Sequence, residues 1–332
     1  MKRSLKLKPE FRIKFSNTRV FLALAFWGLP TVAFAADFCA GLVHAKFSSQ
    51  SEQRVSKLKP GSLAVLTHTS LDQQLETHFL GRIQNAGGSS HSYLFYDTAS
   101  QEIHSIPADR VALSDAQGSA IEASRGKLYV RSENQEGPTC AAYSLFNCLR
   151  QVALDEKAPD RVRLAVSDES HRIKLLMKAV NEIYIGKFGN ALPGAIEKLA
   201  TEHQLRTFTH PSSTIEEFRA SILRDLNSGW PVLTSFSVPE KMVETAYSIF
   251  EHDSPEIVRS SKNLWIPASS TTTRSHDAHV VVLLAAFEAQ GEEFILVSDP
   301  NWQMPRIWPA SYLDRLFSGR MAASTVWFED AK

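Results

Sequence analysis

The chain has 332 residues, 43% of them hydrophobic and 22% charged, and its formal net charge at pH 7 is zero because 36 basic residues balance 36 acidic ones. A chain without excess positive charge is a poor nucleic-acid binder, so we expect no nucleic-acid partner. The length is more than one small core needs and predicts two domains, or one large and one small.

Residues 1–35 have the pattern of a secretory signal peptide. A basic segment precedes the apolar run of residues 20–35, which ends in Ala33-Phe34-Ala35, the A-x-A pattern of a cleavage site. The run is shorter than the roughly 20 residues that a spanning helix needs, so an uncleaved anchor is the weaker alternative. Removing seven basic residues and one acidic residue changes the formal charge from 0 to −6. We expect a periplasmic or secreted protein with no stable membrane anchor after cleavage.

Residues 58–113 predict four or five short strands separated by turns, among them a turn at Gly87-Gly88. Alternating apolar residues and strands spaced every 8–12 residues are typical of a small barrel. We therefore predict a small SH3-like β-barrel in residues 36–125, whose end is a polar linker. The barrel could recruit a partner or serve structure alone, since a fold does not specify function.

Residues 126–332 have a different pattern, with helices followed by strands. The segment after Ser213 begins with a capping box to Glu216 and ends at Gly229, which predicts a helix, and Pro193 lies in the first turn of another. The strings WPVLTSFSV, AHVVVLLAAF, EFILVSDP and STVWFE predict strands. Helices followed by an antiparallel sheet predict an α+β domain.

Cys140 lies where a polar Gly-Pro turn becomes an apolar helix, with Thr139 available as the N-cap. Peptide dipoles and free N–H groups in the first turn of a helix stabilise a thiolate. Cys148 lies on the apolar face two turns later and is predicted to be buried. If the chain forms a disulfide, we expect it to join Cys39 and Cys148, because catalysis would need a free Cys140.

A nucleophilic cysteine also needs a base and a group that orients the base. A hairpin centred on Ala289 would place His279 directly opposite Asp299, close enough for the carboxylate to accept the imidazole N–H. His276 is the alternative base, but it does not fit this register. Gln135 precedes Cys140 by five residues, and its amide could join the Cys140 N–H in an oxyanion hole.

The strings QEGPTCAAYS, HVVVLLAAF and SDPNW together resemble the papain-like cysteine peptidases, most closely the bacteriocin-processing (double-glycine) branch. The resemblance covers residues 130–330 and implies a papain-like domain. It implies Cys140 as nucleophile, His279 as base, Asp299 as orienting residue and Gln135 in the oxyanion hole, with no metal or cofactor. Residues 239–278 are longer than the corresponding loop of that family and could form a lid or a surface excursion.

The sequence therefore predicts an exported cysteine peptidase that hydrolyses peptide or amide bonds in a peptide or protein substrate. Two alternatives stay open. A transglutaminase-like acyl transferase uses the same three residue types in the same order, and a binding module could keep the fold without turnover.

Overall fold

A computed structural model describes the chain in fourteen segments: residues 41–48, 58–71, 73–85, 90–121, 126–135, 139–185, 192–210, 213–237, 243–245, 247–251, 254–259, 262–264, 278–318 and 323–329. The predicted signal peptide, Cys39 and His276 lie outside these residues. None of the described helices is both long and apolar enough to cross a membrane.

The described residues form seventeen β-strands, six α-helices, one 3₁₀ turn at Ala108–Arg110 and one π-helical turn at Asn181–Ile185. The strands are β1 (Val43–Phe47), β2 (Ser62–His68), β3 (Gln74–Gln84), β4 (His91–Asp97), β5 (Glu102–Pro107), β6 (Val111–Asp115), β7 (Leu128–Tyr129), β8 (Arg206–Thr209), β9 (Val232–Ser237), β10 (Val243–Thr245), β11 (Tyr247–Glu251), β12 (Ser254–Arg259), β13 (Lys262–Leu264), β14 (Ala278–Ala289), β15 (Glu292–Ser298), β16 (Arg306–Pro309) and β17 (Ala323–Trp327). The helices are α1 (Cys140–Ala153), α2 (Asp160–Ala165), α3 (Glu169–Val180), α4 (Leu192–Glu202), α5 (Ile215–Asn227) and α6 (Tyr312–Ser318).

The N-terminal strands form an open sheet, so the prediction of a closed barrel is wrong for the described residues. Four or five strands were expected between residues 58 and 113; five are present, as β2 to β6, and β1 adds a sixth. Nine strands pair in the order β12-β11-β5-β4-β3-β2-β1-β6, with β7 on β3. A closed barrel would need its two end strands to pair. Here the end strands are β12, which pairs with β11, and β6, which pairs with β1, so the described sheet is open.

Strands from residues 239–278 supply the far edge of this sheet. Strand β11 runs parallel to β5, with Tyr247 opposite Ile103, and β12 returns antiparallel to β11. Strands β10 and β13 form a separate antiparallel pair. The described part of this insertion therefore extends the N-terminal sheet. The rest of the insertion, and with it the predicted lid, lies outside the described residues.

The C-terminal part combines helices with a six-stranded antiparallel sheet in the order β16-β15-β14-β9-β17-β8, which confirms the α+β prediction. Helix α4 includes Pro193 near its start, as expected. Helix α5 is present, but its capping residue is Thr214, whose side chain accepts the Glu217 N–H, so the predicted capping box is wrong by one residue. Gly229 follows α5 with a φ of 91°, a backbone conformation that suits glycine at the end of a helix.

The two sheets share one hydrophobic core. The ring of Tyr96, from β4, lies edge-on to Phe287 and Phe294 of the C-terminal sheet, at centroid distances of 6.1 and 5.6 Å. The Lys127 ammonium donates to the backbone carbonyls of Gly229, at 2.7 Å, and Leu284, at 3.0 Å. The N-terminal sheet is thus packed against the elements that carry the candidate site.

Candidate active site

Cys140 begins helix α1 and is partly exposed, while most of the helix behind it is buried. Thr139 is the N-cap residue, although its side chain makes no capping hydrogen bond. Cys148 is fully buried, and burial raises the pKa of its thiol. Neither cysteine is in a disulfide. Because Cys148 is fully buried and Cys140 is partly exposed, Cys140 is the one of these two that a substrate can reach.

His279 lies near the start of β14, where Phe236 of β9 is its strand partner. The side chain is buried, and its Nε2 lies 2.9 Å from Asp299 Oδ1. Asp299 is itself fixed by a turn, because its Oδ1 also accepts the Asn301 N–H and its carbonyl accepts the Trp302 N–H. The predicted contact between His279 and Asp299 is therefore present.

The register predicted for this contact is wrong. The hairpin turns at Gln290 and Gly291, so Ala289 pairs with Glu292, and a bulge between Leu283 and Ala285 shifts the ladder by one residue. The ladder starts at Val282 opposite Ser298. Asp299 lies just beyond that pair and reaches His279 from the turn that follows β15, instead of from a directly opposed strand position.

The side chain of His279 also hydrogen-bonds the side chain of Cys140. Since Nε2 is directed at Asp299, Nδ1 is the ring nitrogen left for the thiol. Burial alone would lower the pKa of His279, but hydrogen bonds to Asp299 and Cys140, together with their negative charges, outweigh it and raise the pKa to about 9. The arrangement therefore favours the cationic form of the His279 imidazole.

Gln135 lies beside the turn that carries Asp299. Its backbone N–H donates to the Pro300 carbonyl at 2.7 Å, and three residues earlier the Ser132 N–H donates to the Gln303 carbonyl at 3.0 Å. These two bonds hold segment 131–135 against the turn that carries Asp299. The structure thus brings Cys140, His279 and Asp299 into contact and places the Gln135 backbone next to that group; the oxyanion role of its side chain stays a prediction.

Asn301 belongs to the site and was missed by sequence reasoning. Its side-chain amide lies 3.3 Å from His279 Nε2, on the same side as Asp299. The available signal was the Asp-Pro-Asn string, because an aspartate that accepts the N–H two residues later folds that residue back beside its own carboxylate.

A separate polar cleft of about 690 Å³ lies behind segment 130–133 and includes none of the three contacting residues. Four of its charged groups are paired with one another: Glu133 binds both Arg150 and Arg172, and Arg172 also binds Glu169. We assign this cleft no ligand.

Comparisons with protein-family models, curated proteins and solved structures find no match to this chain. Among the described residues, no group of three or more histidine, cysteine, aspartate or glutamate side chains is placed to hold a metal ion.

Proposed function

We propose that this protein is a cysteine peptidase that hydrolyses peptide or amide bonds. The observation that carries the proposal is the buried His279 side chain, which contacts Asp299 on one side and Cys140 on the other. A nucleophile in contact with a base, and a base in contact with an orienting carboxylate, is the arrangement that covalent acyl transfer requires.

In the proposed reaction the Cys140 thiolate attacks the substrate carbonyl carbon, and the carbonyl electrons move onto oxygen. The Cys140 N–H and the Gln135 amide would donate to this oxyanion. His279 then gives its proton to the leaving amine as the C–N bond breaks, which leaves an acyl-enzyme. Water attacks the acyl group as His279 removes its proton, and Cys140 leaves as thiolate.

The papain-like assignment and the SH3-like character of the N-terminal strands belong to the same proposal. A helix that opens on the nucleophile and packs on an antiparallel sheet carrying the base supports the former. The six N-terminal strands β1 to β6, although they form an open sheet, are consistent with the latter. Export through the predicted signal peptide would place the enzyme in the periplasm or outside the cell.

The proposal is tested by hydrolysis of a mixed-sequence peptide library, read by mass spectrometry. Cys140→Ala should abolish cleavage without loss of folding, because alanine fits the first turn of a helix. Cys148→Ala is the matched control and should keep activity, since Cys148 is buried away from solvent. Cleavage by Cys140→Ala would contradict the proposal. Amine incorporation in excess of hydrolysis, with an added amine donor, would favour the acyl transferase instead.

A further inference from the structure

One buried hydroxyl connects the helix of the nucleophile to the strand of the base. Ser144 is fully buried in α1, and its Oγ donates to the Val280 backbone carbonyl at 2.7 Å. Ser144 lies one helical turn after Cys140, so the two side chains share a helix face. Val280 is the residue after His279.

Val280 lies on β14 at a position that is paired with β9 and comes before the pairing with β15. On one side it pairs with Ser235 of β9. On the other side the β14–β15 ladder begins only at Val282, so Val280 lies beyond it. The Val280 carbonyl accepts the Ser144 hydroxyl at this end of β14, before the ladder with β15 begins.

Serine at this position lowers the stability of the helix relative to alanine, and its hydrogen bond offsets that loss. Alanine is the better helix former, and a serine inside a helix commonly bonds the carbonyl four residues earlier. Ser144 instead donates to another element. A donor held in a packed core at 2.7 Å fixes the helix relative to the strand more tightly than apolar contact alone, since hydrogen bonds are directional.

From this geometry we propose that Ser144 is a positioning residue that sets the distance between Cys140 and His279. It touches neither reacting atom. Without the hydroxyl, the helix is free to shift along the strand, and the Cys140–His279 hydrogen bond lengthens in part of the population. The contact with His279 then stabilises the Cys140 thiolate less. This inference rests on the proposed function.

The test is the rate at which iodoacetamide alkylates Cys140 between pH 4 and 9, measured in the full chain by peptide mapping. For Ser144→Ala we expect the pH at which Cys140 becomes reactive to rise, with a rate at pH 5–6 that is about fivefold lower, equivalent to ~1 kcal/mol. Ser221→Ala is the matched control: it removes another buried helical serine hydroxyl, one that bonds His210. That variant should lose stability but keep the wild-type pH profile.

A Ser144→Ala profile identical to that of Ser221→Ala would overturn the inference and leave Ser144 a purely structural residue. If Ser144→Ala does not fold, Ser144→Cys fills the same space with a weaker donor and should shift the profile in the same direction, and an unshifted profile would again overturn the inference. Failure of the proposed function is distinguishable, because it would show as wild-type Cys140 alkylation that His279→Ala does not change.

Discussion

At the residue scale, Asp299 acts through its Oδ1 atom, which lies at hydrogen-bond distance from both His279 Nε2 and the Asn301 N–H. Asparagine at this position keeps the shape and an acceptor oxygen but removes the negative charge that helps to raise the pKa of His279 to about 9. The folded-state pKa of His279 should therefore fall, and the imidazolium should be lost at lower pH.

We expect the alkaline limb of the pH profile of kcat/KM in Asp299→Asn to move down by about one unit, with activity at pH 9–10 reduced about five- to tenfold. The measurement is peptide hydrolysis across pH 5–10. Asp160→Asn is the control, because Asp160 is an exposed residue whose carboxylate pairs with Arg163 on the same helix. An alkaline limb that stays at its wild-type pH would mean that Asp299 does not act through its charge.

At the element scale, His210 lies directly after β8 and joins it to α5 and β17 through a buried hydrogen-bond network. Its Nδ1 lies 2.8 Å from Ser221 Oγ on α5 and its Nε2 lies 2.7 Å from Thr325 Oγ1 on β17. Since Thr325 donates to Asp225, it accepts from Nε2–H, and Nδ1 then accepts from Ser221. Burial lowers the pKa of His210 to about 4, against the opposing charge of Asp225.

This pKa predicts a loss of stability in acid. Between about pH 6.5 and pH 4 the unfolded chain holds a proton on His210 that the folded chain does not, so the free energy of unfolding falls as pH falls, by up to ~1.4 kcal/mol per unit. We expect His210→Gln to reduce the difference in urea-unfolding free energy between pH 7 and pH 5. His44→Gln, at an exposed histidine of β1, is the control and should leave that difference unchanged. Equal pH dependence in wild type and His210→Gln would refute this prediction.

The elements also show what the sequence can and cannot predict. The helix ending at Gly229 and the strands β14 and β15 follow from apolar periodicity and turn residues, which are local signals. The register of the hairpin depends on two features. The turn at Gln290 and Gly291 is a local one, whereas the bulge at Leu284 is not, because the Leu284 carbonyl accepts from Lys127, 157 residues away. The contact of His279 with Asp299 was still predictable, since both residues lie at the same end of the hairpin.

At the scale of the whole molecule, the N-terminal and C-terminal parts are less separate than the sequence suggests. A polar segment near residues 114–126 reads as a linker, yet Ile121 within it is buried, and Lys127 directly after it is bonded to two elements of the C-terminal part. The open sheet could not be predicted either. The partner of β5 in this sheet is β11, which comes more than 130 residues later in the chain. Pairing over such separations leaves no local pattern.

The shared core predicts that the two parts unfold together. Tyr96→Ala removes a buried ring that packs on Phe287 and Phe294, so we expect the free energy of unfolding to fall by about 3–5 kcal/mol in a single cooperative transition. Urea denaturation followed by fluorescence and circular dichroism would measure it. Leu164→Ala, at an exposed position, should cost less than about 0.5 kcal/mol. Two separate transitions, only one of them altered by Tyr96→Ala, would indicate independent domains.

The central claim, that Cys140 is a nucleophile activated by His279, is tested most directly by labelling the full chain with a thiol-alkylating peptide epoxide at pH 6–7, followed by peptide mapping. The account predicts one adduct on Cys140 in the wild-type protein, none on the buried Cys148, and little or none on Cys140 in a folded His279→Ala variant. The account would be contradicted if Cys140 were not labelled in the wild-type protein, or if it were labelled equally in wild type and His279→Ala.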